Sequence, residues 1–261
     1  MSIRFFQVDA FTNQPFKGNP AGVCLLNSMP DDKTLAAIAG ENNLAETAFL
    51  LPEQEGYRLR WFSPLVEIPL CGHATLASAH VLWETGLVPR TATIHFYTLS
   101  GLLTATCQDG WITLDFPARE NAPAVLPEAW QPMFNQEIIH VAYSVDRYIV
   151  ELSSADAVAG FLPDRQLLLA HKCIITAKGA AHTPYDFVSR FFAGPIGVDE
   201  DPVTGSAHCS LAPYWAERLH KKEFFAYQAS PRGGELRVIW QDDRVLLKGQ
   251  AITVIEGTFH I

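Results

Sequence analysis

The sequence lacks the features that mark several large classes of protein. Its five cysteines are odd in number, widely spread and without a CxxC pair, so neither a disulfide framework nor a zinc site is indicated. No apolar run approaches the ~20 residues that a membrane helix needs. The first residues have no basic segment, apolar stretch and cleavage site in the order of a secretory signal. We therefore expect reduced thiols and a cytoplasmic protein with no membrane partner.

Basic residues and nucleotide-binding patterns are also scarce. Lys and Arg number 19 against 28 Asp and Glu, the net charge is −9, and the basic residues are scattered. A nucleic-acid partner or an anionic membrane surface is therefore not expected. The patterns GxGxxG, GxxxxGK[ST] and HExxH do not occur, so neither dinucleotide binding, nor a phosphate-binding loop, nor a zinc-protease site is indicated.

What the sequence has is enough apolar material for a large core. Of its 261 residues, 48% are hydrophobic and 18% are charged, which is typical of a globular protein of one large or two medium domains. Two segments, 71–80 and 204–212, resemble each other. When Gly72 is set on Gly205, Ala74 falls on Ala207 and the small-residue pattern continues.

The resemblance between these segments extends upstream. The aromatic segments 59–64 and 189–195 also match, with 12 residues from Arg60 to Gly72 and 15 from Arg190 to Gly205, so the second copy carries a short insertion. Each copy predicts an aromatic strand, a Pro/Gly loop, a glycine and an amphipathic helix. Free N–H groups and the positive end of the dipole make such a helix start an anion site. Two of them could face each other across a cleft and hold one carboxylate; the alternative is that the similarity serves packing alone.

The repeat predicts a chain of two halves. Segment 118–250 follows the same order of strands and helices as segment 1–117, and the proline-rich stretch Pro117–Pro132 is the expected linker. The length of the repeat indicates a duplication and not a solenoid.

Glu46 is the first candidate for chemistry. It lies within Leu44–Leu51, an otherwise almost wholly apolar segment that predicts a buried strand. Burial disfavours a carboxylate's charged form, which would let Glu46 take up and release protons near neutral pH. The alternative is a glutamate at a strand edge that faces solvent.

Three further candidates lie at the two helix starts. His73 begins the first helix, where the dipole favours the neutral imidazole and the side chain could relay a proton; the alternative is a capping role. Asp201 lies four residues before Gly205, at the start of the second helix; the alternative is that it belongs to a solvated acidic turn. Ser206 is the counterpart of His73 and could bind an anion through its hydroxyl and its backbone.

Cys71 supports a competing interpretation. A two-thiol racemase needs one thiol on each face of the substrate carbon, but the counterpart of Cys71 is Thr204. Cys209 lies further along its helix and is expected in the core. A metal site formed by Cys71, His73, His208 and Cys209 is a weaker alternative, because no metal-binding pattern supports it.

Several motifs together resemble the phenazine-biosynthesis isomerase-like (PhzF-like) family, which has the diaminopimelate epimerase-like fold. They occur in the family's order over nearly the whole chain: Gly18–Val23, Asn43–Phe49, Cys71–Leu76, Arg190–Ala193 and Glu200–Ala207.

The resemblance implies an α+β fold of two pseudo-symmetric domains, each a mostly antiparallel sheet closed around a central helix. It implies a last strand, 251–261, that can cross back to complete the first half, and a cofactor-free homodimeric enzyme whose site lies between the domains. Glu46 would be the proton shuttle, with His73 and Asp201 as the other catalytic positions. The substrate-binding positions implied are Gly72, His73, Thr204, Gly205, Ser206 and Asn19.

The sequence thus predicts a cofactor-independent isomerase that moves a proton on a small carboxylate-bearing substrate, either amino-acid-like or cyclic. Two alternatives stay open at this point: an amino-acid racemase or epimerase that uses Cys71, and a non-catalytic protein that binds small acids. The sequence does not identify the substrate.

Overall fold

The computed structural model of the protein describes residues 2–134 and 138–261, which divide into two compact units. The first unit contains the chain up to Asp115 together with Lys248–Ile261, and the second contains Phe116–Leu247. Within the described ranges, no helix combines the length and the apolar character that crossing a membrane requires.

The strands and helices follow in chain order. The chain up to Pro117 forms β1 (Ser2–Ala10), β2 (Asn19–Leu25), α1 (Asp32–Asn42), β3 (Glu46–Glu53), β4 (Gly56–Phe62), β5 (Glu67–Ile68), α2 (Gly72–Glu84), β6 (Ile94–Thr98), β7 (Gly101–Gln108) and β8 (Trp111–Pro117). The remainder forms β9 (Ala122–Pro123), β10 (Ile138–Ser144), β11 (Arg147–Leu152), α3 (Ala155–Ala159), α4 (Arg165–Leu168), β12 (Lys172–Lys178), β13 (Phe187–Ala193), β14 (Val198–Asp201), α5 (Gly205–Leu219), β15 (Glu223–Gln228), β16 (Gly234–Gln241), β17 (Arg244–Gly249) and β18 (Ala251–His260), with 3₁₀ turns at Glu128–Met133 and Gly194–Ile196.

The first unit is a mostly antiparallel sheet with two parallel crossovers. β1 pairs antiparallel with β2 on one side and with β18 on the other, so the last strand completes the sheet of the first unit. β2 and β3 are parallel and are joined through α1, and β4 and β6 are parallel and are joined through α2. Among the other pairs, β3 with β4, β4 with β5, β6 with β7 and β7 with β8 are antiparallel.

The second unit repeats this connectivity. β10 and β11 are antiparallel, β11 and β12 are parallel with α3 and α4 between them, and β12 and β13 are antiparallel. β13 and β15 are then parallel with α5 between them, and β15 and β16 are antiparallel. The α+β class expected from the sequence is confirmed, and each parallel pair occurs where a helix supplies the crossover connection.

Each unit has one helix buried almost all round. In α2 the residues from His73 to Ala79 are buried without a break, and the helix contacts β1, β2, β3 and β18. Small residues such as Ala74, Ala77 and Ser78 let the helix approach the strands closely. A helix without a polar face is stable only when a core surrounds it. In α5, Trp215 stacks on Phe187 of β13 and its indole N–H donates to Thr176 of β12 at 3.1 Å.

An arginine–glutamate ion pair also recurs in the two units. Arg60 Nε and Nη2 donate to the Glu67 carboxylate at 2.7 and 2.6 Å, and Arg190 Nε and Nη2 donate to Glu200 at 2.7 and 2.9 Å. Each pair ties an aromatic strand, β4 or β13, to the short strand that leads into the buried helix. The extra residues of the second copy therefore lie between Arg190 and Glu200, where the turn Gly194–Ile196 occurs.

The stretch Pro117–Pro132, expected to be the linker, follows the boundary between the two units directly, and its last part packs into the core of the second unit. Trp130 is 2% exposed and belongs to the core of the second unit. Its indole N–H donates to the carbonyl of Leu167 at 3.0 Å, and the ring meets Tyr148 edge-on. The prolines shape an irregular segment that the indole ring anchors.

Candidate active site

The start of α2 has the arrangement expected from the strand–loop–glycine pattern. Cys71 is the N-cap in an extended conformation, and within the described chain its side chain makes no capping bond to the helix. The Cys71 carbonyl accepts from the Thr75 backbone N–H at 3.2 Å and from the Thr75 hydroxyl at 2.5 Å. Because the first helical N–H groups have no intrahelical acceptor, this end of α2 can donate to an anion.

Three proton-carrying side chains meet at this helix start. Glu46 is the first residue of β3, and its carboxylate lies 3.2 Å from Nε2 of His73. The Cys71 sulfur lies 3.5 Å from Nδ1 of the same ring. The His73 side chain is 6% exposed and the Glu46 side chain 17%, so the carboxylate keeps a path to solvent or substrate that the imidazole lacks.

Fold topology explains why Glu46 reaches His73 across 27 positions of sequence. The parallel pairing of β2 and β3 sets Ala21 beside Glu46 at the start of β3, and β3 packs on α2. Leu44 and Ala45 precede the strand, so the predicted strand begins two residues later than its apolar pattern indicated. Asn19 is fully buried two positions before Ala21, as the first residue of β2.

The neighbours of His73 decide its charge. Burial alone lowers the pKa of His73, but the Cys71 sulfur and then the Glu46 carboxylate raise it by more, so the pKa lies well above its usual value. Both neighbours oppose the preference for a neutral imidazole that the helix dipole was expected to give. Burial also raises the pKa of the Cys71 thiol, although the contact with His73 opposes that shift.

The same three residues include possible metal ligands, since their donor atoms lie within 4.8 Å of one another. No CxxC or HExxH pattern accompanies them in the sequence. Glu46 lies near Nε2 of the His73 ring and Cys71 near Nδ1, so the same group can also exchange protons. Among the described residues, no acceptor or donor meets Nε2 of His73 with hydrogen-bond geometry. Its contact with the Glu46 carboxylate is an ion pair.

The start of α5 in the second unit is held by side chains. Thr204 is the N-cap, and its backbone N–H donates to the buried Gln228 side chain at 2.8 Å. The amide of Gln228 donates in turn to the Asp201 carbonyl at 2.7 Å, and the Thr204 hydroxyl donates to the Asp201 carboxylate at 2.5 Å. The expected residues Asp201, Thr204 and Gly205 thus form one turn, which Gln228 fixes in place.

Ser206, the counterpart of His73, has a cationic neighbour that the sequence did not suggest. Nη1 of Arg147 donates to the Ser206 hydroxyl oxygen at 3.0 Å. Arg147 also donates to Asp146 at 2.7 Å, as does Lys172. Sequence reasoning missed these residues and Gln228, because their meeting depends on the pairing of β11 with β12 and on contacts far apart in the chain.

The structure therefore assembles the expected site residues in two groups. Glu46 and His73 lie together in the first unit, with Gly72 beside them at the start of α2. Asp201, Thr204, Gly205 and Ser206 lie together at the start of α5 in the second unit.

Comparison with known proteins identifies the family to which this chain belongs. A family model described as phenazine biosynthesis-like protein matches residues 8–257. An uncharacterized isomerase of Halalkalibacterium halodurans is 48% identical over 260 residues, which cover 98% of each chain. The crystal structure of a PhzF-family protein of Enterococcus faecalis superposes with a TM-score of 0.95 at 39% identity and covers 100% of both chains.

The chain belongs to the phenazine biosynthesis-like family, as its motifs indicated, and its curated relatives support the class of isomerase. A hydroxyproline epimerase from Agrobacterium vitis, solved with trans-4-hydroxy-L-proline, has the same fold with a TM-score of 0.65. Its identity is 12%, with 98% of this chain and 92% of that chain covered, so this likeness concerns the fold alone. The epimerase-like fold class is thereby confirmed.

Proposed function

We propose that the protein is a cofactor-independent isomerase that moves a proton on a small carboxylate-bearing substrate, with Glu46 as the acid–base group. The contact between the Glu46 carboxylate and the His73 imidazole, 3.2 Å long at the start of a buried helix, carries the proposal. Membership of a family whose curated relatives include isomerases supports it.

The proposed step is redox-neutral. A substrate C–H bond breaks, the proton passes to a Glu46 oxygen, and the electron pair moves into the adjacent π system. The Glu46 carboxylic acid then returns the proton to a different atom of the same substrate. His73, whose pKa is raised, supplies a positive charge beside the carboxylate and orients it.

We further propose that the substrate carboxylate accepts from helix N–H groups. At α2 these belong to Gly72 and His73. The N–H groups of Gly205 and Ser206 at the start of α5 are a second anion-binding group, within the second unit. Asp201 and Thr204 shape the second of these turns. Asn19, buried at the start of β2, completes the set as a substrate-binding residue that the family resemblance implies.

Glu46→Gln tests the acid–base role. Glutamine has a similar size but cannot carry the proton, so we expect the variant to fold, to bind ligand and to lose about 10²–10⁴-fold in proton transfer, the usual contribution of a general acid–base group. The substrate is first sought among cyclic and acyclic amino acids by ligand soaking, and exchange of its hydrogens with D₂O is then followed by NMR. Glu53→Gln, at the other end of β3, is the matched control.

If Glu46→Gln incorporates deuterium at the wild-type rate, Glu46 is not the shuttle. If the wild-type protein binds a ligand but exchanges none of its hydrogens, the non-catalytic binder is the better description. Both outcomes contradict the proposal.

A racemase that uses Cys71 is the second candidate, because the Cys71 sulfur lies 3.5 Å from the His73 ring. Two observations weigh against it: burial raises the pKa of Cys71, and Thr204 occupies the counterpart position. We expect Cys71→Ser to retain deuterium exchange within about tenfold, less than the loss of a general acid–base group. Complete loss of exchange with the fold intact would favour the thiol mechanism instead.

A further inference from the structure

In the second unit, one carboxylate contacts three basic side chains. Asp146 contacts Arg147 at 2.7 Å, Lys172 at 2.7 Å and Arg119 at 3.4 Å. The group lies beside the start of α5, since Arg147 also donates to the hydroxyl of Ser206. The helix dipole adds further positive potential at this place. We call these three basic residues with Asp146 the cationic cluster.

The charges in this cluster do not balance. Asp201 also lies at the start of α5, and when it is counted the cations still outnumber the carboxylates by three to two. Arg119 and Arg147 both contact the same oxygen of Asp146, so their guanidinium groups lie close together, and burial and then Arg147 lower the pKa of Arg119. A group of excess cations in a partly buried place is stabilised when an anion joins it.

The cluster is also accessible on one side. The Arg147 side chain is 4% exposed and lies at the back, whereas Lys172 is 21% exposed and Arg119 is 25% exposed. Because Arg147 donates to the Ser206 oxygen, the Ser206 hydroxyl keeps its hydrogen available for an acceptor. A ligand could therefore meet two cations and one hydroxyl donor.

The internal repeat relates residues of this cluster to residues of the first unit. Arg147 pairs with Lys172 in the parallel strands β11 and β12, at the register position where Ala21 pairs with Glu46 in β2 and β3. Lys172 thus occupies the position of Glu46, as Ser206 occupies the position of His73. The second unit has a cationic group where the first unit has its carboxylate and imidazole.

We propose that Arg119, Arg147 and Lys172, with the Ser206 hydroxyl, bind an oxyanion, either a carboxylate or a phosphate group. The inference rests on the proposed function only in its last step, that this oxyanion is part of the substrate. The substrates would then carry an anionic group that charged side chains recognise, in addition to a carboxylate that backbone N–H groups hold.

Titration calorimetry at low ionic strength tests the site with inorganic phosphate, succinate and acetate as probes, because salt screens such contacts. Lys172→Met removes one charge from the exposed side of the cluster and is expected to weaken phosphate or succinate binding about 10–100-fold, as for a lost charge-assisted hydrogen bond. Lys221→Met is the control, since Lys221 pairs with Asp186 at 2.6 Å elsewhere in the same unit and its loss changes the net charge equally.

Lys172→Arg is expected to restore binding, which separates a charge effect from a folding defect. Phosphate binding without succinate binding would identify a phosphoryl group, and the reverse a carboxylate; either supports the site. Absence of binding by the wild-type protein, or equal binding by Lys172→Met and Lys221→Met, would overturn it. Glu46→Gln should bind the probes normally, so the outcome here and the outcome of the deuterium test are independent.

Discussion

Replacing Arg190 by methionine is expected to destabilise the second unit more than any exposed ion-pair variant would. Arg190 Nε and Nη2 donate to Glu200, and Nη1 donates to the Phe161 carbonyl at 2.7 Å. The Arg190 side chain is 9% exposed and Glu200 is 17% exposed. Methionine would leave a largely buried carboxylate without its cation and a buried carbonyl without its donor.

The magnitude follows from these two losses. Removing one partner of a buried ion pair costs about 3–5 kcal/mol, and a buried carbonyl left without a donor costs about 1–3 kcal/mol. Glu200 keeps some contact with solvent, which lowers the first contribution. We therefore expect Arg190→Met to reduce the free energy of unfolding by about 3–5 kcal/mol in total.

Arg60→Met is a matched control within the same chain. Arg60 binds Glu67 with the same bidentate geometry, but its Nη1 meets the carboxylate of Asp32, which is 73% exposed, instead of buried carbonyls. The Arg60 and Glu67 side chains are 19% and 22% exposed. Water can solvate Asp32 and part of Glu67 after the substitution, and no buried carbonyl among the described residues loses its donor. We therefore expect a loss smaller than that of Arg190→Met by about the 1–3 kcal/mol that an unpaired buried carbonyl costs.

The assay is urea unfolding followed by circular dichroism, with hydrogen exchange read by mass spectrometry to show which unit opens. Arg190→Met should accelerate exchange in β12 and β13, and Arg60→Met in β3 and β4. Equal losses of stability in the two variants would refute the reasoning, because the buried carbonyl contacts would then contribute nothing measurable.

Two pH predictions follow. Burial lowers the pKa of His208 to about 4, so the imidazole should stay neutral in NMR spectra down to about pH 5. Since an unfolded histidine titrates near about 6.5, stability should fall as the pH drops below that value, and His208→Gln should reduce this dependence. Burial raises the pKa of Asp146, but hydrogen bonds from Arg147 and Lys172 outweigh it and lower the pKa to about 2. The stability that Asp146 contributes is thus present above the unfolded pKa of about 4 and is lost as the pH falls to about 2. Asp146→Asn should therefore show a smaller loss of urea midpoint between about pH 4 and pH 2. An imidazole that charges near pH 6, or an unchanged acid profile in Asp146→Asn, would contradict these assignments.

Local signals in the sequence specify several helix starts. Asp31 is the N-cap of α1, and its carboxylate accepts from the Thr34 N–H at 2.8 Å. Ser154 is the N-cap of α3, and its hydroxyl accepts from the Ala157 N–H at 3.1 Å. Each of these contacts spans three residues, so composition and spacing are enough to specify it. The glycines at the starts of α2 and α5 were identified for the same reason.

Contacts between strands could not be predicted from such local signals. Asp146, Arg147 and Lys172 meet because β11 and β12 are parallel and in one register, which no local pattern reveals. The burial of Trp130 was not predicted, because prolines surround it in the sequence. A tryptophan in an expected linker is nevertheless a signal that the segment packs against a core. Burial lowers the pKa of His73, whereas Cys71 and then Glu46 raise it; Cys71 is two residues away in sequence, but Glu46 reaches the ring only through the sheet. Charge and protonation are properties of the fold, and the sequence supplied only the residue types.

The two units keep what the fold needs and differ where a substrate would react. Both units have an Arg–Glu ion pair and a glycine at the start of the buried helix. In both, the N-cap carbonyl also has a hydrogen bond with the fourth residue after it, Thr75 in the first unit and His208 in the second. By contrast, Glu46 corresponds to Lys172, which is bound to Asp146 and cannot accept a proton as an ammonium group. Inversion of a carbon centre by two bases needs one base on each face, whereas a proton shift needs only one. Under the proposed function, with Glu46 as the acid–base group, a cation at the matched position of the second unit favours a proton shift over racemisation.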